Sequence, residues 1–322
     1  MKFGGTSVAD ATCMKRVATR IVDARREGHP VVAVVSARGE TTDDLIEMAH
    51  EISENPPARE MDMLLSTGER ISAALVAMAI HELGYKAISL TGSQAGIVTD
   101  TEHTKAKILD IKPHRIRKAL DEDQIVLVAG FQGVSTDQNV TTLGRGGSDT
   151  TAVALAAALG AEACMIFTDV DGIYTTDPRV VPEARKLDFI SNDEMLELTA
   201  SGAKVMMLRS IEVARRFDVP LWVRSSFTDA PGTLIGQEEK GMEQAIISGV
   251  TYALDDAKVT IHDLPDRIGE AARVFTALAK ANINVDVIIQ NVSAQGKADI
   301  SFTAPEGDLP KITAVLSGLK DE

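Results

Sequence analysis

The run Ile125-Val-Leu-Val-Ala129 is apolar at every position, and it decides the fold class of this sequence. A strand with one face in water alternates apolar and polar residues, whereas a strand covered on both faces is apolar throughout. Four further runs are similar: 31–35, 87–90, 163–167 and 220–223. Stretches with a helical period separate them: 9–26, 59–83, 114–121, 149–159 and 192–217, the last interrupted near Gly202. This alternation predicts an α/β fold with a mostly parallel sheet sandwiched by helices.

The pattern changes after Gly232. The stretch Gly236-Gln-Glu-Glu-Lys-Gly-Met-Glu-Gln244 is polar, contains two glycines and breaks the periodicity, as is typical of a linker. Beyond it the predicted elements follow the order β-α-β-β-α, which is the ferredoxin-like order without its last strand. We therefore predict a larger domain over residues 1–236 and a smaller, incomplete ferredoxin-like domain over residues 245–322.

Composition excludes several classes of protein. The 322 residues include 33 Lys and Arg against 47 Asp and Glu, a net charge of −14, so nucleic-acid binding by bulk charge is not expected. Two cysteines and six histidines in no paired-ligand spacing predict no disulfide framework and no transition-metal site. Apolar runs are shorter than a membrane span, and no signal peptide opens the chain. We expect a soluble, cytoplasmic protein.

The turn Lys2-Phe-Gly-Gly-Thr-Ser7 stands directly before an amphipathic stretch. Glycines let backbone N–H groups approach an anion closely, and a helix N-terminus adds a partial positive charge. Lys2 adds a mobile point charge that suits a phosphoryl oxygen. These features indicate a phosphate-binding turn. A plain strand-to-helix turn with a solvated lysine has the same features, so both interpretations stay open.

A second glycine-rich turn, Thr141-Thr-Leu-Gly-Arg-Gly-Gly-Ser-Asp-Thr-Thr151, leads into an alanine-rich helical stretch. Ser148 and Asp149 are N-cap candidates, and Arg145 is a bidentate donor for an anion. Capping explains Ser148 and Asp149 but not a run of glycines around an arginine, so the pattern favours a binding loop. No GxxxxGK[ST], GxGxxG or GxSxG motif occurs, which leaves the familiar nucleotide and hydrolase fingerprints without support.

Four further clusters are candidates for a binding site. The stretch Ser36-Ala-Arg-Gly-Glu-Thr-Thr-Asp-Asp44 follows a predicted strand, and the stretch Ser66-Thr-Gly-Glu-Arg70 puts a glycine inside a predicted helix. Glycine there costs about 1 kcal/mol against alanine, which indicates a kink or a close approach and makes Glu69 a candidate for a ligand ammonium. Residues 168–179 could frame a nucleotide, and Lys204 could point into the same cleft. Taken alone, the stretch 36–44 is better explained as an ordinary strand-to-helix turn and Lys204 as a solvated helix lysine. An ordinary surface loop is the alternative for residues 168–179.

Taken together and in order, these motifs resemble the aspartate kinases of the amino acid kinase family, across essentially the whole chain. The motifs that carry the resemblance are Lys2-Phe-Gly-Gly-Thr-Ser7, Val34-Val-Ser-Ala37, Thr41-Thr-Asp43, Leu64-Leu-Ser-Thr-Gly-Glu-Arg-Ile71, Phe131-Gln-Gly133, Thr141-Thr-Leu-Gly-Arg-Gly-Gly-Ser-Asp149, Thr168-Asp-Val-Asp-Gly-Ile-Tyr-Thr-Thr-Asp-Pro-Arg179 and Gly202-Ala-Lys204. The stretches Ile283-Asn-Val-Asp286 and Gln290-Asn-Val-Ser293 are similar to the effector strand of the ACT regulatory domain of that family.

The resemblance implies phosphorylation of the side-chain carboxylate of L-aspartate by ATP with Mg²⁺, the first step of lysine, threonine and methionine biosynthesis. The catalytic residues that it implies are Lys2, Arg145 and Asp149. The substrate-binding residues that it implies are Ser36, Thr42, Glu69, Arg145 and Ser148. The ATP-binding residues that it implies are Lys2, Phe3, Gly4, Gly5, Thr168, Asp169, Tyr174, Asp177, Arg179 and Lys204. Magnesium would bridge the phosphates, so no dedicated metal ligands are expected.

The resemblance also implies regulation by lysine, threonine or both. These effectors would bind between the ACT domains of two chains, near Asp266, Asn284, Val285, Asp286 and Gln290. A homo-oligomer, or an assembly with another chain, is therefore expected. Family members normally have a short apolar strand ahead of Lys2 and two ACT units, so we expect this sequence to be shortened at both ends. The alternatives are a truncated, non-catalytic amino-acid-binding regulatory protein and a sister kinase that acts on another carboxylate.

Overall fold

A computed structural model describes residues 1–237, 248–292 and 297–320 of the chain. The chain divides into two units, Met1–Thr251 and Tyr252–Glu322. Residues 238–247 lie outside the described residues; they include most of the predicted linker and the predicted start of the smaller domain. The predicted domain limits at 236 and 245 therefore stay a prediction.

Strands and helices alternate through most of the first unit. Its strands are β1 (Lys2–Phe3), β2 (Val32–Val35), β3 (Ala87–Leu90), β4 (Ile97–Thr99), β5 (Ile108–Ile111), β6 (Ile125–Ala129), β7 (Gln132–Ser135), β8 (Val140–Thr142), β9 (Cys164–Thr168), β10 (Phe189–Ser191), β11 (Leu221–Ser225) and β12 (Thr233–Gly236). Its α-helices are α1 (Ala11–Arg26), α2 (Thr41–Ile52), α3 (Ala58–Glu82), α4 (His114–Asp121), α5 (Gly147–Leu159), α6 (Asn192–Ala200) and α7 (Leu208–Phe217).

An eight-stranded sheet in the order β10-β12-β11-β9-β1-β2-β6-β3 forms the centre of this unit. Pairs along it are parallel except that of β11 with β12. The five predicted strands are β2, β3, β6, β9 and β11, so the prediction of a mostly parallel sheet is confirmed. The predicted helical stretch 192–217 is two helices, α6 and α7, with Gly202 between them.

Both faces of this sheet are covered, as the wholly apolar β6 predicts. Ile125 and Leu127 belong to one buried cluster, together with residues of α1 and α3. Val126 and Val128 belong to a second buried cluster, with residues of α5 and α7. Burying one such side chain stabilises the fold by about 1.5–3 kcal/mol, so the two helical layers hold the sheet between them.

A second sheet, in the order β5-β4-β7-β8, stands apart from the central one. Its strands are short and carry buried hydroxyls, such as those of Thr99 and Thr141, whose Oγ1 atoms lie 2.6 Å apart. Neither an alternating pattern nor a long apolar run marks such strands, which is why the sequence does not predict them. Phe131, between β6 and β7, has a φ of +67°, and the chain changes sheets there.

Helix α3 is long and apolar enough to cross a membrane, judged by its length and composition alone, and half of that apolar window is buried. Its buried residues include the carboxylates of Asp62 and Glu69 as well as Val76 and Ile80, which pack on the sheet. We therefore assign α3 to the protein core.

The second unit contains β13 (Asp256–Pro265), α8 (Glu270–Lys280), β14 (Ile288–Val292), β15 (Lys297–Pro305) and α9 (Leu309–Lys320). Its strands pair antiparallel in the order β13-β15-β14. Val274 and Leu278 of α8, Phe302 of β15 and Ile312 of α9 form its core. This is the predicted smaller ferredoxin-like domain, in which the outer edge of β13 has no partner strand among the described residues.

Candidate functional site

Several of the predicted site residues of the first unit lie at or just after the carboxyl ends of neighbouring strands. Strand β1 lies between β2 and β9, with Lys2 paired to Val34 on one side and to Ile166 on the other. Ligands of open parallel sheets bind outside the carboxyl ends of the strands, where the connections part, so we expect a binding crevice at this edge of the sheet. The loops after β1, β2, β6 and β9 begin at this edge.

Lys2 and Asp149 meet at the floor of this crevice. The Lys2 Nζ atom lies 2.7 Å from Asp149 Oδ1, and each residue is only 8% exposed. Because side chains alternate along β1, Lys2 faces α5, whose first turn carries Asp149, and Phe3 faces the other way. The structure thus brings together a cation and a carboxylate that are 147 positions apart in the chain.

The turn after β1 differs in part from its prediction. Phe3 stacks on Phe167 in the core, with ring centroids 4.8 Å apart, so its side chain cannot line a nucleotide site. The turn opens a 3-10 helix over Gly5–Val8, and α1 begins only at Ala11. The predicted helical stretch 9–26 is therefore α1, which begins two residues later because Asp10 caps it by accepting a hydrogen bond from the Cys13 N–H.

Glycine at position 5 is required by a close approach. A Cβ atom there would lie 2.9 Å from the Ala37 carbonyl oxygen, inside van der Waals contact. The backbone of the turn is thus packed directly on the loop that follows β2, and the Gly39 N–H donates to the Gly5 carbonyl over 3.0 Å. A side chain at Gly4 would meet Lys2 Nζ at 3.5 Å, so this glycine keeps the approach to the lysine open.

Glu69 is buried in α3 with one oxygen bonded and the other free. Its Oε1 accepts a hydrogen bond from the Ala37 N–H over 3.2 Å, while its Oε2 has no hydrogen-bond partner among the described residues. Burial raises the pKa of Glu69 to about 7. The adjacent Gly68 confirms the predicted close approach, because a Cβ there would lie 2.8 Å from Ala37 Cβ. Ser36 and Thr42, which flank this contact in the chain, are half-buried.

Arg145 is exposed on the loop between β8 and α5, and no hydrogen bond or ion pair engages it within the described part of the chain. Helix α5 begins at Gly147 with Gly146 as its N-cap residue and without a side-chain cap. The interpretation of Ser148 and Asp149 as N-caps is therefore wrong. Both lie buried in the first turn, where Ser148 packs on the backbone of Gly130 at the end of β6.

The residues predicted for the nucleotide side are more dispersed. Thr168 and Asp169 lie at the carboxyl end of β9, where the Thr168 hydroxyl donates to Asp169 over 3.0 Å. Arg179 is ion-paired with Asp177 at 2.8 Å, and its hydrogen bonds lower the pKa of Asp177 to about 2. Tyr174 lies in the same loop, half-buried and in a bridge to residue 186. Lys204 is exposed in the turn between α6 and α7, away from any contact described for that loop.

The residues predicted for an effector all lie in the second unit. Asp266 follows β13, Asn284 and Asp286 precede β14, and Gln290 pairs with Ile300 of β15. Val285 is half-buried between Asn284 and Asp286. Since β15 lies between β13 and β14, no described contact joins Asp266 to the other four. Ser293, part of the quoted motif, lies outside the described residues.

Sequence reasoning missed several residues that organise the first site. Asp62 lies seven positions before Glu69 on the same face of α3, fully buried, and a carboxylate in an apolar helix was a signal for it. Ser226, after β11, bonds Ser7 through hydroxyls 2.6 Å apart, and nothing in the local sequence marks it. The positive φ of Phe131 could not be anticipated either, since bulky residues rarely adopt it.

Comparisons with known proteins agree with this architecture. The model of the amino acid kinase family matches residues 1–225, and that of the ACT domain matches residues 258–321. The chain is 58% identical to the aspartokinase of Mycolicibacterium smegmatis, over all of this chain and 77% of that protein.

Solved structures give the same result. The chain is similar to the E. coli aspartokinase III complex with aspartate and ADP, with a TM-score of 0.80 and 29% identity over 94% of this chain and 78% of that one. It is similar to the Synechocystis aspartate kinase with a TM-score of 0.67 and 44% identity, over 99% of this chain and about half, 54%, of that one. A kinase fold and an ACT unit joined in this order, with such identity over the whole chain, leave one conclusion. The chain belongs to the aspartokinases of the amino acid kinase family.

Proposed function

We propose that this protein transfers the γ-phosphoryl group of ATP to the side-chain carboxylate of L-aspartate, giving 4-phospho-L-aspartate and ADP. The observation that carries the proposal is the buried pair of Lys2 and Asp149 at the carboxyl end of β1. We assign Glu69 and Arg145, a carboxylate and a cation that complement a free α-amino acid, to the aspartate side of the site. We assign the loop after β9 to the ATP side.

The substrate half of the site fits the zwitterionic head group of an amino acid. The exposed Arg145 guanidinium is suited to clamp the α-carboxylate with two hydrogen bonds. The Oε2 atom of Glu69, which has no partner among the described residues, accepts a hydrogen bond from the α-ammonium. The hydroxyls of Ser36, Thr42 and Ser148 complete the pocket. This assignment explains why one buried oxygen of Glu69 has no partner within the described protein.

The nucleotide half surrounds the transferred phosphoryl group. Lys2 neutralises its charge, and Asp149 fixes the lysine. The Gly5 N–H is a backbone donor for the phosphate, whereas the Gly4 N–H already donates to the Phe167 carbonyl over 3.3 Å. Phe3 contributes only through its main chain. The remaining residues assigned to the ATP side are Thr168, Asp169, Tyr174, Asp177, Arg179 and Lys204. Mg²⁺ binds few protein ligands when it arrives on phosphates, and the oxygens of Thr168 and Asp169 suit it.

The chemistry requires little from a general base. An aspartate side chain is already ionised near neutral pH, so its oxygen can attack the γ-phosphorus while the bond to the β-phosphate oxygen breaks. What limits the reaction is the repulsion between two anions and their alignment. Fixed cations at Lys2 and Arg145 address both, since preorganised charge is the largest contribution in such sites.

We also propose that lysine, threonine or both bind the ACT unit near Asp266, Asn284, Val285, Asp286 and Gln290. The E. coli aspartokinase III structures include one in complex with lysine and aspartate, which supports an amino-acid effector here. The outer edges of the β13-β15-β14 sheet, which have no partner strand among the described residues, support pairing of ACT units in a homo-oligomer or with another chain. The acidic chain, with a net charge of −14, suits a cytoplasmic enzyme without nucleic-acid or membrane partners.

Hydroxamate formation tests the reaction directly, because hydroxylamine traps an acyl phosphate. We expect a signal with ATP, Mg²⁺ and L-aspartate and none with L-glutamate. Arg145→Ala should raise the KM for aspartate and lower turnover by about 100-fold or more, whereas Arg115→Ala, an exposed arginine on α4, should leave both unchanged. A folded protein that binds ATP and aspartate but yields no hydroxamate would favour the non-catalytic regulatory protein instead.

A further inference from the structure

A fully buried carboxylate, Asp62, lies at the amino-terminal part of α3 and accepts hydrogen bonds from three groups. The Thr142 hydroxyl donates to its Oδ1 over 2.5 Å, and the Thr104 N–H donates to the same oxygen over 3.0 Å. The His103 Nδ1 atom lies 2.6 Å from its Oδ2. A buried carboxylate is costly unless such bonds offset its lost hydration, so this arrangement calls for a role beyond packing.

The partners of Asp62 lead to the loop that carries Arg145. Thr142 is the last residue of β8, three positions before Arg145. Its carbonyl accepts a hydrogen bond from the Ala106 N–H over 2.9 Å. Gly144 packs on the Thr104 carbonyl so closely that a Cβ there would lie 3.1 Å from the oxygen. Asp62 therefore holds both residues 142–144, which precede Arg145, and the segment 104–106, on which those residues pack.

Arg209, on α7, also bonds to both of these segments. Its guanidinium donates to the Leu143 carbonyl over 3.1 Å and to the Ala106 carbonyl over 2.9 Å. Asp62 links the segments 104–106 and 142–144, and the Arg209 guanidinium thus links the same two segments a second time. Residues 142–144 are held at fixed positions, while the Arg145 side chain beyond them stays exposed.

Asp62 and Glu69 share one face of α3, seven residues and so about 10 Å apart along the axis. Both are buried, and Glu69 reaches the loop after β2 through the Ala37 N–H. One rigid helix consequently sets the position of the carboxylate assigned to the α-ammonium and, through Asp62, the position of the loop that presents the cation assigned to the α-carboxylate.

We propose that Asp62 is a positioning residue for the amino-acid substrate, and that its bond to Thr142 fixes the span between Glu69 and Arg145. The inference rests on the proposed function. Because a displacement of about 1 Å can cost two orders of magnitude when two groups must bind at once, small shifts of the Arg145 loop affect aspartate binding. ATP does not contact this loop in the proposed site, so its binding is independent of Asp62.

Threonine-to-valine substitution separates positioning from packing, because it removes a hydroxyl and keeps the volume. We expect Thr142→Val and Asp62→Asn to raise the KM for aspartate by about tenfold, with the KM for ATP unchanged within about twofold. Thr142→Ser keeps the hydroxyl and should restore the wild-type KM. Thr99→Val is the matched control, since Thr99 is equally buried in the same small sheet but bonds Thr141 instead of Asp62.

A purely structural role gives a different result. Thr142→Val would then lower the melting temperature and the active fraction as Thr99→Val does, with both KM values at wild-type levels, and the inference would be overturned. The wild-type arm of the experiment tests the proposed function on its own. A wild type that phosphorylates aspartate, next to variants with an unaltered aspartate KM, overturns only the positioning role. A wild type that does not use aspartate overturns the substrate assignment.

Discussion

At the scale of single residues, the buried pair at the carboxyl end of β1 bears both on stability and on the proposed catalysis. Lys2 and Asp149 are both buried, with Lys2 Nζ 2.7 Å from Asp149 Oδ1. If one side chain is removed, little water can reach the other to solvate its charge. Removing one member of such a pair typically costs about 3–5 kcal/mol, because the other charge is left buried and unpaired. A loss of activity in a single variant at either position therefore has two possible causes, which a double variant separates.

We expect Lys2→Met to unfold at lower urea concentration than the wild type and to lose turnover. Lys2→Met combined with Asp149→Asn removes both charges and should regain most of the stability without regaining activity. Urea unfolding and hydroxamate formation on the three proteins check this. Recovery of turnover in the double variant would show that Lys2 has no catalytic part.

Glu69 makes stability depend on pH. Burial raises its pKa from 4.5 to about 7, so the contribution of the protonated carboxyl to stability is complete below pH 4.5 and is lost as the pH rises through 7. We expect Glu69→Gln to be more stable than the wild type at about pH 8, by up to roughly 3 kcal/mol, and no more stable at about pH 4.5. Urea unfolding at the two pH values measures this difference.

The ionisation of Glu69 should also affect the KM for aspartate. Because ionised Glu69 attracts the α-ammonium, the KM of the wild type for aspartate should fall between about pH 6 and about pH 8. The KM of Glu69→Gln should be higher and should lack this dependence. An identical pH profile in the two proteins would contradict the assignment of Glu69 to the ammonium.

At the scale of elements, α3 is the part of the fold on which the site depends most. Its Gly68 lies against Ala37, and its Glu69 bonds the N–H of the same residue. Helix propensity alone favours alanine over glycine by about 1 kcal/mol. Here, however, an added Cβ would lie 2.8 Å from Ala37 Cβ, so α3 and the loop after β2 must separate.

We expect Gly68→Ala to destabilise the protein by about 1–3 kcal/mol and to raise the KM for aspartate. Gly318→Ala provides a control within another helix, α9, because no atom lies within 4 Å of a Cβ at that position. That variant should be as stable as the wild type or slightly more stable. Thermal unfolding of both variants, with aspartate kinetics, distinguishes a steric effect from propensity.

Elements were predictable where their signal was local. Strand β6 is apolar throughout and needs no knowledge of its partners, and the same holds for the helical period of α1. Strand β1 has only two residues, so it is a strand because β2 and β9 flank it rather than because of its own sequence. Glu69 could be predicted because Gly68 beside it is unusual in a helix. The partners of Asp62 could not, since they lie 41, 42 and 80 positions away.

At the scale of the whole molecule, we expect the second unit to bind lysine, threonine or both. Calorimetry with lysine and with threonine at millimolar levels tests this, and we expect heat from at least one of them. Asp286→Asn should weaken that binding about tenfold by removing a charge for the effector ammonium, whereas Asp256→Asn, at the exposed start of β13, should not. If neither amino acid gave heat, that result would argue against regulation through this ACT unit.

The position of β1 also has a consequence for the nascent chain. Lys2 pairs with Val34 early in synthesis, but its other neighbour, Ile166, is about 160 residues further along. At typical translation rates β9 emerges roughly 8–30 s after β1, so the edge of β1 that pairs with β9 stays unpaired for that time. Non-local pairing of this kind is also slow to form. This edge of the sheet therefore cannot be completed before β9 emerges, and until then a lysine destined for burial remains exposed beside an unpaired strand.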